Sequence, residues 1–393
     1  MQLRCFHHIR DINQQAWNAL VADNNPFLRH EFLQALEDYQ CVSAAFGWYP
    51  QHVAVYDEGR LIAAMPLYVK TNSYGEFVFD QAWSQAWQSV GLHYFPKWVS
   101  AIPYAPVTGQ RFLIAADQDA NKIRALLVKY LQQMALEQGI SGWHILFAEH
   151  YAQNDAQSDA EGMNKPNDQA WLSAQADWLI RHDCHFHWFN RGYQTFDDFL
   201  AQLKPKKRKN IKQERRKVEE AGVTFRRLNG HTASEQDWTD FSRFYQKTFA
   251  EKHSLATLNQ GFFQAVAQAL PDQVLLVMAD KGGRCIAGSL MFVSDSVLFG
   301  RHWGCVEEVN SLHFEACYYQ GIEFAIEQGL QRFEPGAGGE HKIARGFEPV
   351  MTQSAHWLAQ NPFEQGIAQF LVDEKRMIED YYQDCVLHSP FNS

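Results

Sequence analysis

Hydrophobic positions along the chain change period several times. Over 121–139 (NKIRALLVKYLQQMALEQG) and again over 311–329 (SLHFEACYYQGIEFAIEQG), apolar residues recur at three- and four-residue spacing, which predicts two amphipathic helices. Both stretches close on Glu-Gln-Gly, with glycine at the expected C-terminal stop. A short apolar run follows each, WHILFAE (143–149) and QRFEP (331–335), and each predicts a strand. Upstream, 51–70 and 273–293 read as strand pairs joined at Asp57-Glu58-Gly59 and Lys281-Gly282-Gly283. Helix-like stretches at 25–39 and 258–270 precede them. The order helix, hairpin, helix, strand therefore occurs twice. It predicts an α/β (α+β) chain made by internal duplication, with mixed sheets flanked by helices. The seam is expected near 190–200, giving domains over 1–190 and 191–393. The second domain would hold a helical stretch from Phe196 to Glu220, whose basic part is 204–221. It would also hold a strand at 223–228 and a terminal amphipathic helix over 361–385, free to cross back onto the first half. The polar run 152–170 is expected to be a surface excursion.

Composition supports two packed cores: of 393 residues, 46% are hydrophobic and 14% aromatic, which excludes a disordered chain. No apolar run approaches the roughly 18–20 residues of a membrane span, and the N-terminus has no signal-peptide pattern, so a cytoplasmic protein is expected. Seven scattered cysteines without a CxxC pair suit free thiols. A net charge of −10 gives no general affinity for nucleic acid or anionic lipid. One stretch breaks this rule. KPKKRKNIKQERRK (204–217) has nine Lys or Arg and one acid, about +8, leaving about −18 elsewhere.

Helical spacing puts Lys204, Arg208, Lys212 and Arg215 on one side of that stretch, with Lys209, Arg216 and Lys217 around them. Clustered cations repel one another and favour an anionic partner; a solvated helix face is the alternative. A second constellation is FEPGAGGEHKIARGFEP (333–349). Its glycines permit close backbone approach or positive φ, and Glu340, His341, Lys342 and Arg345 crowd four ionisable groups behind them. A third is FGRHWGCVEEVNSLHFEACYYQ (299–320), where Arg301 and His302 end a strand and His313, Glu315 and Tyr318 begin a helix. Free N–H groups at such a helix start can hold an anion. HDCHFHWF (182–189) offers His185 and His187 on one strand face but no partner ligands, so no metal site is expected. Glu76 and Asp80, in an aromatic stretch, are further candidate polar groups. No GxSxG, GxxxxGK[ST] or HExxH pattern occurs, and no covalent nucleophile is evident.

Taken together, NPFLRHEFLQALE, PLYVKTNSYGEFVFDQAW, IPYAPVTGQRFL, FHWFNRGYQTFDDFLAQLKPKKRKNIKQERR, GRHWGCVEEVNSLHFEACYYQGIEFAI and GAGGEHKIARGFEP resemble the FemAB-like group of N-acyltransferases. The resemblance covers nearly the whole chain. It implies two tandem GNAT-like acyl-CoA N-acyltransferase domains, and transfer of an acyl or aminoacyl group to an amine, on a small molecule or a peptidoglycan precursor. The donor substrate would be aminoacyl-tRNA or acyl-CoA, with no tightly bound cofactor. WGCVEEVNSLHFE lacks the Arg/Gln-x-x-Gly-x-Gly/Ala pattern with which GNAT relatives hold the coenzyme pyrophosphate. Direct attack by an amine needs a base, an oxyanion site and an acid, but no covalent intermediate. The expected roles are proton transfer for His341 or Glu340 and acid for Tyr318. Arg301, His302, His313, Glu315, Lys342 and Arg345 would bind substrate or anion. Lys207, Arg208, Lys212 and Arg215 would meet tRNA or precursor phosphates. The alternatives are a GNAT-type acyl-CoA-dependent N-acetyltransferase and a non-catalytic RNA- or anion-binding protein.

Overall fold

A computed structural model describes residues 1–149 and 167–392. The chain forms two compact units. One comprises Met1–Ala22, Phe27–Asp183 and Met351–Asp380; the other comprises Asp23–Pro26, Cys184–Val350 and Tyr381–Ser393.

In the first unit, strands Gln2–Phe6, His52–Asp57, Arg60–Met65 and Leu113–Ile114 pair antiparallel in that order. The hairpin predicted at Asp57-Glu58-Gly59 closes with a two-residue turn, φ +48° and +84°, the left-handed pair that matches strand twist. Its second strand is shorter than expected. The chain leaves the sheet at Pro66, which has no N–H to donate, and Tyr68–Lys70 joins another sheet. There Trp48–Pro50, Tyr68–Lys70, Lys97–Ser100, Gly142–Ile145 and Ala355–Leu358 lie side by side. Lys97–Ser100 and Gly142–Ile145 are parallel, and helix Ala120–Glu137 connects them. Ile123, Leu127, Leu131 and Ala135 form its buried stripe, against Val53, Val55, Trp98 and Trp143.

The second unit repeats the device. Strands Val223–Leu228, Val274–Lys281, Arg284–Val293 and Val297–Cys305 are antiparallel neighbours, with Gly282 and Gly283 turning the predicted hairpin. Val297–Cys305 then runs parallel to Arg332–Glu334, and the helical segment Leu312–Glu327 crosses between them. Trp188 and Phe189 add the next strand. The two crossover helices stop in the same way. Gly139 and Gly329 take φ +67° and +65°, and the next amide reaches back five residues, Ile140 to Ala135 and Leu330 to Ala325.

Several elements differ from expectation. The predicted helix over 196–220 is two helices, Phe196–Gln202 and Pro205–Glu220. Proline disfavours a helical residue before it, and Lys204 is extended. Strand Glu348–Leu358 and helix Glu235–Glu251 are additional. The latter was readable: Ser234 and Asp237 form a capping box, and Trp238, Phe241 and Tyr245 follow at helical spacing. Most of the polar run 152–170 lies outside the described residues, but its end turns inward. Asp168 is 1% exposed. It accepts the backbone N–H of Arg111 and Phe112, and it pairs with Arg124, also 1% exposed, at 2.9 and 2.7 Å. A buried guanidinium requires such a partner, which composition alone does not reveal.

Candidate functional site

Three segments of the second unit meet: the basic helix Pro205–Glu220, the crossover helix after Val297–Cys305, and the glycine loop after Arg332–Glu334. The crossover helix is not uniform. Glu315–Tyr319 is a π-helical turn between α-helical Leu312–Phe314 and Gln320–Glu327. Such turns recur at functional sites because the widened turn redirects side chains. The hydroxyl of Tyr318 lies 2.9 Å from His341 Nε2. Tyr319 donates to Glu214, the one acid within the basic stretch. The loop supplies the other side. Gly336, Gly338 and Gly339 have φ of +97°, +67° and +94°, which side-chain-bearing residues rarely adopt. Glu340–Arg345 then forms a short 3-10 helix. Lys342, 3% exposed, folds back to donate to the Gly336 carbonyl at 2.6 Å. Arg345 donates to the His341 carbonyl and to Glu214, both at 2.7 Å, and lies 3.3 Å from the centre of the Phe314 ring.

Burial sets the proton affinities. It lowers Lys342 to about 7, helped by the charge of Arg301. Partial desolvation lowers His341 below the ordinary imidazole range, helped by Arg345 and Lys342. His313 is lowered to about 4 by burial and then by His341. His302 is lowered to about 3 by burial and Arg301. Burial also raises Tyr318 well above the usual phenol, so it stays protonated. At neutral pH the imidazoles of His341 and His313 are thus free of charge.

His341, Tyr318, Lys342, Arg345 and His313 come together, the His313 ring standing 5.4 Å from Tyr318 and 6.3 Å from His341. Glu340 is exposed and makes no hydrogen bond or ion pair among the described residues. Arg301 sits at a bulge, where the register skips from His302 to Gly300, and a Cβ on Gly336 would stand 3.6 Å from its Nη2. His302 packs against Tyr245 and Phe263. Glu315 is buried and accepts from Arg215 at 3.1 Å, while Arg215 also pairs with Glu323. Arg215 therefore faces inward. Lys212 is exposed, 3.2 Å from Asp197. Lys207 and Arg208 are half-buried; with Lys206, Lys209 and Lys217 they make no ion pair among the described residues. Four of these five lie in the first turns of the helix, where no acid and no side-chain cap offsets them.

The FemAB-like family, described as peptidoglycan biosynthesis/recognition, matches residues 8–393. The chain belongs to that family. Among solved structures it is similar to FemX, with 12% identity, 93% of this chain and 99% of that one covered, and TM-score 0.53. A conserved protein of unknown function from Bacteroides thetaiotaomicron gives 10%, 91%, 100% and 0.51. L-PGS from Bacillus licheniformis gives 10%, 86%, 94% and 0.50. None of the curated proteins matches. The expected mixed α/β class holds, and this FemAB-like chain shares its fold with FemX. Among the described residues no helix is long and apolar enough to cross a membrane.

Sequence reading of this FemAB-like protein missed Glu214 as a partner of the loop, and missed the burial of Lys342. A lone acid inside a basic helix was the available signal for the first; the second had none. Lys342 carries a stability prediction. Its folded pKa lies below its unfolded value, so the unfolded chain binds more protons between about pH 7 and 10. Stability is expected to rise with pH across that window, by up to about 1.4 kcal/mol per pH unit, and to be penalised most below it. Denaturant unfolding of wild type against Lys342→Met checks this: the variant should lose that slope.

Proposed function

We propose that the protein transfers an aminoacyl group from tRNA to an amine acceptor on a peptidoglycan precursor, with the chemistry at the His341–Tyr318 pair. The observation that carries this reading is the state of the basic helix. Cations at the positive end of a helix dipole are each unfavourable by about 0.3–1 kcal/mol. Lys206, Lys207, Arg208 and Lys209 stand there without an acidic partner among the described residues, and the inward side chains Glu214 and Arg215 tie the same helix to the candidate catalytic segments. A polyphosphate backbone would remove that cost.

In the reaction the acceptor amine attacks the ester carbonyl directly. Neutral His341 takes the proton that the amine loses. Tyr318, still a phenol, gives its proton to the departing ribose oxygen and is reprotonated from His341 through their hydrogen bond. Lys342 and Arg301 supply positive charge near the glycine loop.

The test is a salt titration of bulk tRNA binding, wild type against a Lys206→Gln/Lys207→Gln/Arg208→Gln variant. Wild type should bind more weakly as salt rises. The variant's log–log slope should be shallower by about two to three, at roughly 0.7–0.9 per cation removed. No binding by wild type at low salt would sink the tRNA donor and shift the reading to acyl-CoA.

A further inference from the structure

The first unit holds a second buried polar cluster that the proposed chemistry does not use. His144 and His356 are direct partners across antiparallel strands, and Val99 is the parallel partner of His144 on its other side. Side-chain alternation therefore puts Lys97, His144 and His356 on one face of the sheet. The segment Ser73–Trp87 lies over that face and presents Glu76 and Asp80 to it. None of these five side chains is more than 3% exposed. Lys97 donates to Glu76 Oε2 at 2.8 Å and to Asp80 Oδ2, and Tyr94 donates to Asp80 at 2.7 Å.

The partners do not exhaust the cluster. Glu76 Oε1 and both nitrogens of His356 are buried without a hydrogen-bond partner. Each such group carries an uncompensated desolvation cost. The His356 ring stands 4.5 Å from that of His144, and His144 Nδ1 is 3.7 Å from Asp80 Oδ2. One ligand atom from each of Glu76, Asp80 and His144 lies within 4.8 Å of the others.

We infer that Glu76, Asp80, His144 and His356 hold one divalent transition-metal ion of the zinc class. Two carboxylate oxygens with two imidazole nitrogens suit such an ion, whereas calcium and magnesium take oxygen ligands. Four protein ligands in a closed, buried setting make the site structural. Lys97, on Glu76 Oε2 and Asp80 Oδ2, orients two of the ligands from outside the coordination shell. The ion would fasten the Ser73–Trp87 segment to the sheet.

The test uses the full chain, stripped with a chelator and titrated with zinc chloride against a chromophoric competitor. One equivalent should bind with Kd below about 1 μM, and cobalt(II) should give the intense visible bands of tetrahedral coordination. Glu76→Gln, which keeps shape, and His356→Ala should each weaken binding by about 10–100-fold, in proteins whose circular dichroism matches wild type. A zinc-dependent rise in melting temperature should appear in wild type and vanish in the variants. Failure of wild type to bind stoichiometric zinc, or binding that both variants leave unchanged, would overturn the site and assign the cluster to buried water.

Discussion

His341→Ala is expected to lower kcat/KM for aminoacyl-tRNA by 10²–10⁴-fold while tRNA affinity stays within about twofold of wild type. The split follows from placement. His341 is exposed at the end of the glycine loop, hydrogen-bonded to Tyr318, so its removal takes away proton transfer and little packing. The cations of the basic helix remain. Tyr318→Phe should act in the same direction and, combined with His341→Ala, add little, because the two groups form one relay. Glu340→Gln should leave turnover within about twofold, since Glu340 points to solvent without a partner among the described residues. The measurement is turnover of aminoacyl-tRNA with excess amine acceptor. Activity of His341→Ala within threefold of wild type would move proton transfer to Lys342, whose pKa of about 7 suits a base.

Asp168→Ala should destabilise the first unit by about 3–5 kcal/mol, the largest stability effect expected for a single substitution in this chain. It strips Arg124 of its carboxylate and leaves the Arg111 and Phe112 amides without an acceptor, all in a region closed to water. Arg124→Met in the same background should recover part of the loss, because the uncompensated charge is then gone. Urea unfolding, with hydrogen exchange of helix Ala120–Glu137 as the local probe, separates this from effects on the second unit. A loss below about 1 kcal/mol would mean that water reaches the pair.

How much of this was legible follows local rules. The paired hairpins were readable because Glu58-Gly59 and Gly282-Gly283 can both take positive φ between alternating strands. The two crossover helices were readable because an apolar stripe ending in glycine has one good solution. The glycine loop with His341, Lys342 and Arg345 was visible as a concentration of ionisable groups behind glycines, and the basic helix as a charge anomaly. Strand Glu348–Leu358 was not, since its hydrophobic alternation is weak and its partners are far away in sequence.

The sequence by itself determined the periodicities, the turn chemistry and the charge pattern, because each depends on neighbours a few residues apart. Tertiary structure decided which ionisable groups act as free charges. Arg215 reads like Arg208 along the helix, yet it is locked to Glu315 and Glu323 from another segment, while Arg208 has no acid beside it among the described residues. Lys342 reads like any lysine, yet burial under the loop brings it to about 7. Glu76 and Asp80 meet His144 and His356 only because two strands and a covering segment, up to 280 positions apart, share one face. Desolvation and long-range pairing arise from the packed chain, and no local pattern of residues encodes them.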